Sequence, residues 1–192
     1  MLSGRGFKEI YNLKGGIMGW NGITAEGPVE LHLDMVRGDD TPMEIIQLAY
    51  GMERSLGGFY RTSKTKTPDS DLASLLEILI TAEDKHKQYL FELYQSLETS
   101  RISLETFEAD VLPKVIEGGF DADEFMKQNE IFLNDVPSLL DLSMMLETQA
   151  LDLYLRFADK SENEKTKEVL YRIGDEEKAH LAALGNLRDE KS

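Results

Sequence analysis

Eight residues in this chain could act together chemically, because they recur at a single spacing. Glu53 is followed by Tyr60, Glu83 and His86, and Glu147 by Tyr154, Glu177 and His180; each member of the second set stands 94 residues after its counterpart. Within Glu83-Asp-Lys-His86 and Glu177-Lys-Ala-His180 the acid and the imidazole are three apart, which on a helix puts them on one face, where both can approach the same ions. Four carboxylates and two imidazoles make an oxygen-rich, nitrogen-containing donor set suited to iron or manganese. The sequence has no cysteine, which excludes disulfides, thiolate zinc sites, iron–sulfur ligation and a cysteine nucleophile within these 192 residues.

The elements that must position these groups read as helices. Thr41, Pro42 and Glu44 form an N-cap, a first-turn proline and a capping-box glutamate, predicting a helix from there to about Thr62. Apolar residues spaced three and four apart predict a second helix over about 70 to 99, a third over about 137 to 160 and a fourth over about 162 to 189. Ser161 with Glu164 reads as a second capping box for that last helix. Residues 100 to 136 form a long connection with helical turns expected around EADVLPKVIEGG and DEFMKQNEIF, interrupted by Pro113 and Gly118-Gly119. Four long helices with short links inside each pair and one long link between pairs describe an all-α four-helix bundle with one long crossover.

The acids fall where core residues belong. The first stripe runs Ile46, Ala49, Glu53, Leu56, Tyr60, and the second Leu76, Leu79, Glu83, His86, Leu90. The third places Glu147 between Ser143 and Tyr154, and the fourth continues from Leu170 and Ile173 through Glu177 and His180 to Leu184. No lysine or arginine lies on these stripes, so four carboxylates would enter an apolar core without a protein cation, at several kcal/mol each. Two bound metal ions would compensate them. Glu176 reads as exposed, His32 as a surface histidine, and Met144 and Met145 as packing residues.

This pattern, one Glu from each of two helices plus Glu-x-x-His from each of the other two, resembles the ferritin-like di-iron carboxylate superfamily and, within it, the rubrerythrin family, over about residues 41 to 189. The resemblance implies two iron ions, with manganese or zinc able to replace them in a purified sample. It also implies that Glu83 and Glu177 bridge them, while Glu53 with His86 and Glu147 with His180 bind terminally. Tyr60 and Tyr154 look like inward-facing residues beside the ligands, with an alternative reading as plain core aromatics. The activity implied is that of a non-haem di-iron oxidoreductase acting on hydrogen peroxide or dioxygen. Rubrerythrins typically carry another glutamate three residues after the third-helix ligand, where this chain has Ala150, and a cysteine-bound iron, for which this chain has no cysteine. Electrons are therefore expected from an external donor protein. Two other readings use the same ligands: a ferroxidase or iron-handling protein, and a metal-stabilised dimerisation or sensor module of a sulfurtransferase fusion.

Residues 1 to 40 have a different texture. GFKEIYNLKGGIMGWNG, followed by GPVE, resembles the last portion of a rhodanese domain, whose catalytic-cysteine loop would lie before residue 1. The expected organisation is thus a rhodanese-like C-terminal fragment and linker over 1–40 and a ferritin-like domain over 41–192, with no rhodanese activity from this chain alone. With 36 acidic against 21 basic residues, the net charge of −15 repels phosphate backbones and anionic lipid, arguing against nucleic-acid and membrane partners. No apolar run is long enough to span a membrane. A cytoplasmic homodimer is the expectation.

Overall fold

The computed structural model describes residues 35–98, 100–111, 115–116, 120–121 and 134–190. The rhodanese-like fragment up to residue 34, His32 with it, and the DEFMKQNEIF segment lie outside the described residues. The described chain is a ferritin-like bundle of long helices, α1 (Pro42–Lys66), α2 (Ser70–Leu97), α4 (Val136–Lys160) and α5 (Glu164–Glu190). A short helix, α3 (Leu104–Ala109), lies in the long connection.

The duplication in the sequence is a duplication of structure. α4 begins and ends 94 residues after α1, and α5 begins 94 residues after α2. The caps repeat too. Thr41 opens α1 with a capping box, its side chain accepting from the Glu44 amide while the Glu44 carboxylate accepts from the Thr41 amide; at the equivalent place Asp135 accepts from the Ser138 amide. Asp69 caps α2 by accepting from the amides of Asp71 and Leu72, and 94 residues on Asn163 does the same for Lys165 and Thr166. Asn163, not Ser161, therefore caps α5. Ser161 is consumed as the end of α4, its amide donating to the Phe157 carbonyl, and the link is too short for it to serve both helices.

α1 runs four residues past its expected end at Thr62. Ser63 is buried with its hydroxyl donating to the Phe59 carbonyl, and Lys64 reaches Glu77 of α2 at 2.7 Å, so the last turn is held against the neighbouring helix. Lys64 and Lys66 also suit the negative end of the helix dipole. Among the described residues of the connection, helix forms over LETFEA. Val115–Ile116 (β1) instead pairs antiparallel with Phe120–Asp121 (β2), Val115 opposite Asp121 and Ile116 opposite Phe120. The β-branched pair favours extended backbone there, and Pro113 lacks the amide that a continuing helix would use.

The buried residues fall into two apolar clusters, one on each side of the Glu/His layer. One gathers Ile46, Met52, Leu90, Leu93, Leu153, Phe157 and Leu170; the other gathers Leu56, Tyr60, Leu76, Leu79, Leu140, Leu146 and Leu184. Those memberships set the helix directions: the start of α1 shares an end of the bundle with the close of α2, the close of α4 and the start of α5. α2 therefore ends, and α4 begins, at opposite ends, and the connection must travel the length of the bundle. α3 anchors that crossing with Phe107, buried edge-on against Tyr50 at 4.9 Å and Tyr94 at 4.7 Å, and with Glu108, which accepts a 2.5 Å hydrogen bond from the Tyr50 hydroxyl. Met144 and Met145 pack on the second cluster, as their apolar spacing implies. No helix among the described residues is long and apolar enough to cross a membrane.

Candidate metal centre

Each long helix carries its ligand-type residue near its middle, one turn from apolar residues on either side, so both clusters press the polar groups into one layer. Glu53, Glu83, Glu147 and Glu177 are all buried. His86 and His180 close the layer on one side, with 11% and 17% of their side chains exposed.

The layer contains two triads. Glu53, Glu83 and His86 each offer a ligand atom within 4.8 Å of the other two, and Glu147, Glu177 and His180 do the same. Nδ1 of His86 lies 3.3 Å from Oε2 of Glu53 and 3.3 Å from Oε2 of Glu83. Nδ1 of His180 lies 3.5 Å from Oε2 of Glu147 and 3.3 Å from Oε2 of Glu177. The imidazoles stack with ring centroids 3.4 Å apart and planes inclined by 5°, so the triads meet across the α2–α5 boundary. All six ligand-type residues predicted from the sequence are thus brought together.

Burial and mutual repulsion leave this layer short of positive charge. Burial, reinforced by the neighbouring Glu53 charge, raises the Glu83 carboxyl well above its usual range. Glu177 rises for the same first reason, helped by its hydrogen bond with Glu147 and by the charges of Glu53, Glu147 and Glu83. Glu53 goes the other way: burial opposes it, but a hydrogen bond with Glu83 and the charge on His86 bring it down to about 2. His86 completes the set, pushed up to about 10 because its contacts with the Glu53 charge outweigh burial. Without metal, protons on Glu83, Glu177 and His86 supply the missing positive charge.

Protons satisfy the layer incompletely. Oε2 of Glu83 and Oε2 of Glu147 are buried without a well-formed hydrogen bond, although Nδ1 of His86 and Nδ1 of His180 lie 3.3 Å and 3.5 Å from them. Multiply charged cations fit this arrangement, since they replace several protons at once and use lone pairs left without a well-formed hydrogen bond. The oxygen and imidazole donors suit iron or manganese.

Tyr60 and Tyr154 are fully buried, one in each apolar cluster, on opposite sides of the layer. Their surroundings break the repeat. The Tyr60 hydroxyl bonds Ser143 at 3.1 Å, and Ser143 donates on to the Leu139 carbonyl; at the counterpart of Ser143 stands Ala49, and the Tyr154 hydroxyl points to the Met52 sulfur at 4.0 Å. Ala150 is buried on the first-cluster side, so the place of the additional family glutamate is filled by apolar packing. Glu176 is exposed, as its register predicts.

Gly57 was not singled out in the sequence, yet it positions a ligand. A Cβ there would meet Cβ of Glu83 at 3.3 Å, so the missing side chain lets α1 approach α2 at the level of the layer. The repeat carries a trace of this: its counterpart is Leu151, whose side chain lies 3.4 Å from where a Cβ on Gly174 of α5 would sit. Small and large residues have exchanged helices between the two halves.

The rubrerythrin family model matches residues 44–188, which contain all six ligand-type residues. No curated protein and no solved structure gives a significant match.

Proposed function

The chain belongs to the rubrerythrin family, and from that premise we propose that it is a non-haem di-iron oxidoreductase acting on hydrogen peroxide or dioxygen. Glu53 with His86 and Glu147 with His180 would each hold one ion, and Glu83 and Glu177 would be the carboxylates shared between the two. When bound and reduced, two irons would supply the two electrons that, with two protons, cleave the O–O bond of hydrogen peroxide to water or reduce dioxygen to the peroxide level. The observation that supports this reading is the pair of Glu2His triads closed into one buried layer, with the two imidazoles stacked at its open side.

The chain's own residues supply the remainder. The two apolar clusters fix the carboxylates and keep bulk water from the layer on both sides. Glu83 and Glu177 lose their protons when metal enters and can take protons back as charge at the site changes, since their surroundings favour the neutral acid. The imidazoles face the groove between α2 and α5, which gives a small oxidant a way in. These 192 residues include no cysteine to hold an electron-transfer iron, so reducing equivalents reach the layer from a donor outside them. We place the chain in a homodimer by resemblance to the family.

Metal analysis of the purified chain, followed by stopped-flow absorbance of its reduced form mixed with H2O2 and with O2, tests the assignment. About two irons per chain and rapid oxidation by either reagent are expected. A chain that binds two irons but whose reduced form neither reagent oxidises overturns the oxidoreductase reading.

A further inference from the structure

α2 and α5 part beside the metal centre and leave a groove of about 860 Å3. Its floor is formed by Glu53, His86, Glu177 and His180, and apolar side chains of Ile78, Ala82, Leu90 and Ile173 line much of the remainder. Hydrogen peroxide and dioxygen are each comparable in size with a water molecule, whose share of liquid volume is about 30 Å3. The groove exceeds that need by more than tenfold and falls in the range of roughly 300–1,000 Å3 typical of sites for organic ligands. It is also elongated. Ser74, Ile78, Ala82, Lys85 and Tyr89 all line it from α2, and at 1.5 Å per residue that stripe runs about 22 Å. Ile78 is 55% exposed in its wall, an apolar surface without a cover among the described residues.

The charges are arranged unequally. Glu77 is taken by Lys64 at 2.7 Å, whereas Lys85 makes no ion pair among the described residues. Lys85 is the one lysine or arginine lining the groove, above the charged His86 of its floor, and exposed Glu176 lines it from α5. In a chain of net charge −15, an unpaired lysine beside an apolar channel offers a place for an anionic head, which Glu176 steers toward the α2 wall. We infer that the α2–α5 groove binds a medium-chain aliphatic carboxylate, its head on Lys85 and its chain along Ala82 and Ile78, beside the metal pair.

The location beside metal rests on the proposed di-iron reading, but ligand binding is measured without turnover, so the two can fail separately. Calorimetric titration of the full metal-loaded chain with decanoate, below its micellar concentration, is expected to show one saturable site. Decanol and decylamine serve as head-group controls. Lys85→Glu should weaken decanoate at least tenfold and decanol less than threefold. Ile78→Ser, at an exposed position, should weaken both several-fold, and Ala82→Trp, which fills the channel, at least tenfold; circular dichroism and metal content verify that each variant is folded. No saturable binding, binding that none of the variants changes, or tighter binding of decylamine than of decanoate overturns the inference. So does an Ala82→Trp variant that dissociates a dimer while retaining decanoate, since the groove would then join two copies.

Discussion

A carboxyl group buried as Glu83 is holds its proton in the metal-free protein, and glutamine is close to the shape of that protonated acid. Glu83→Gln should therefore change metal-free stability by less than about 1 kcal/mol, while metal content falls well below that of the parent chain. Calorimetric melting and elemental analysis of one preparation check both halves of the expectation. Gly57 gives a second test at this scale. Gly57→Leu places a side chain where even a Cβ is 3.3 Å from Glu83, and overpacking of this kind costs about 1–3 kcal/mol, more than the gain of up to about 1 kcal/mol from replacing a helix glycine. The neighbouring Gly58→Ala meets nothing within 4 Å and should stabilise by about 0.5–1 kcal/mol. Denaturant titration of the two variants should show opposite signs. The six ligand-type residues were legible in the sequence because two features coincide: acids on apolar stripes, and their recurrence at one spacing. Gly57 was not legible, since only the distance between two helices reveals what its missing side chain permits.

Helix positions and directions follow from local signals, and the misplaced cap shows where such signals compete. Ser161 and Glu164 satisfy the capping-box pattern, yet the end of α4 claims Ser161, and Asn163 caps α5. Asn163→Ala should cost about 1 kcal/mol, and Ser161→Ala distinctly less, in equilibrium unfolding. The repeat itself held the answer, because Asp69 occupies the same place before α2. The connection between the hairpins was harder to read. Its α3 owes its place to Phe107 docking on Tyr50 and Tyr94, a contact between residues distant in sequence that no local periodicity encodes. The groove was equally hidden: Ile78, Ala82 and Lys85 lie off the core stripe and acquire a common purpose only where α2 and α5 diverge.

For the whole molecule, the Glu/His layer links stability to protons and to metal. Glu83, Glu177 and His86 have raised folded pKa values, so the stability they contribute is full below their unfolded values and is lost as pH rises, for His86 through about 10. Glu53 is lowered, so its contribution is present above the ordinary glutamate range and disappears only as pH falls through about 2. The metal-free protein should therefore lose stability from the ordinary glutamate range up to about pH 10, whereas the loaded protein, with metal in place of those protons, should vary less. Thermal melts of chelated and loaded samples across that interval measure the divergence, and a chelated protein that gains stability with pH would contradict it. Bound ions would also join the two hairpins, since each hairpin contributes two glutamates and one histidine to the layer. The matching helix bounds carry this further, toward symmetry. A hairpin cut from either half retains every kind of ligand the centre uses, and two copies related by a rotation could face one another as α1–α2 and α4–α5 now do. The chain thus has the outline of a symmetric pair of hairpins joined by a tether, and Ser143, standing where the first half has Ala49, marks a place where the two halves differ.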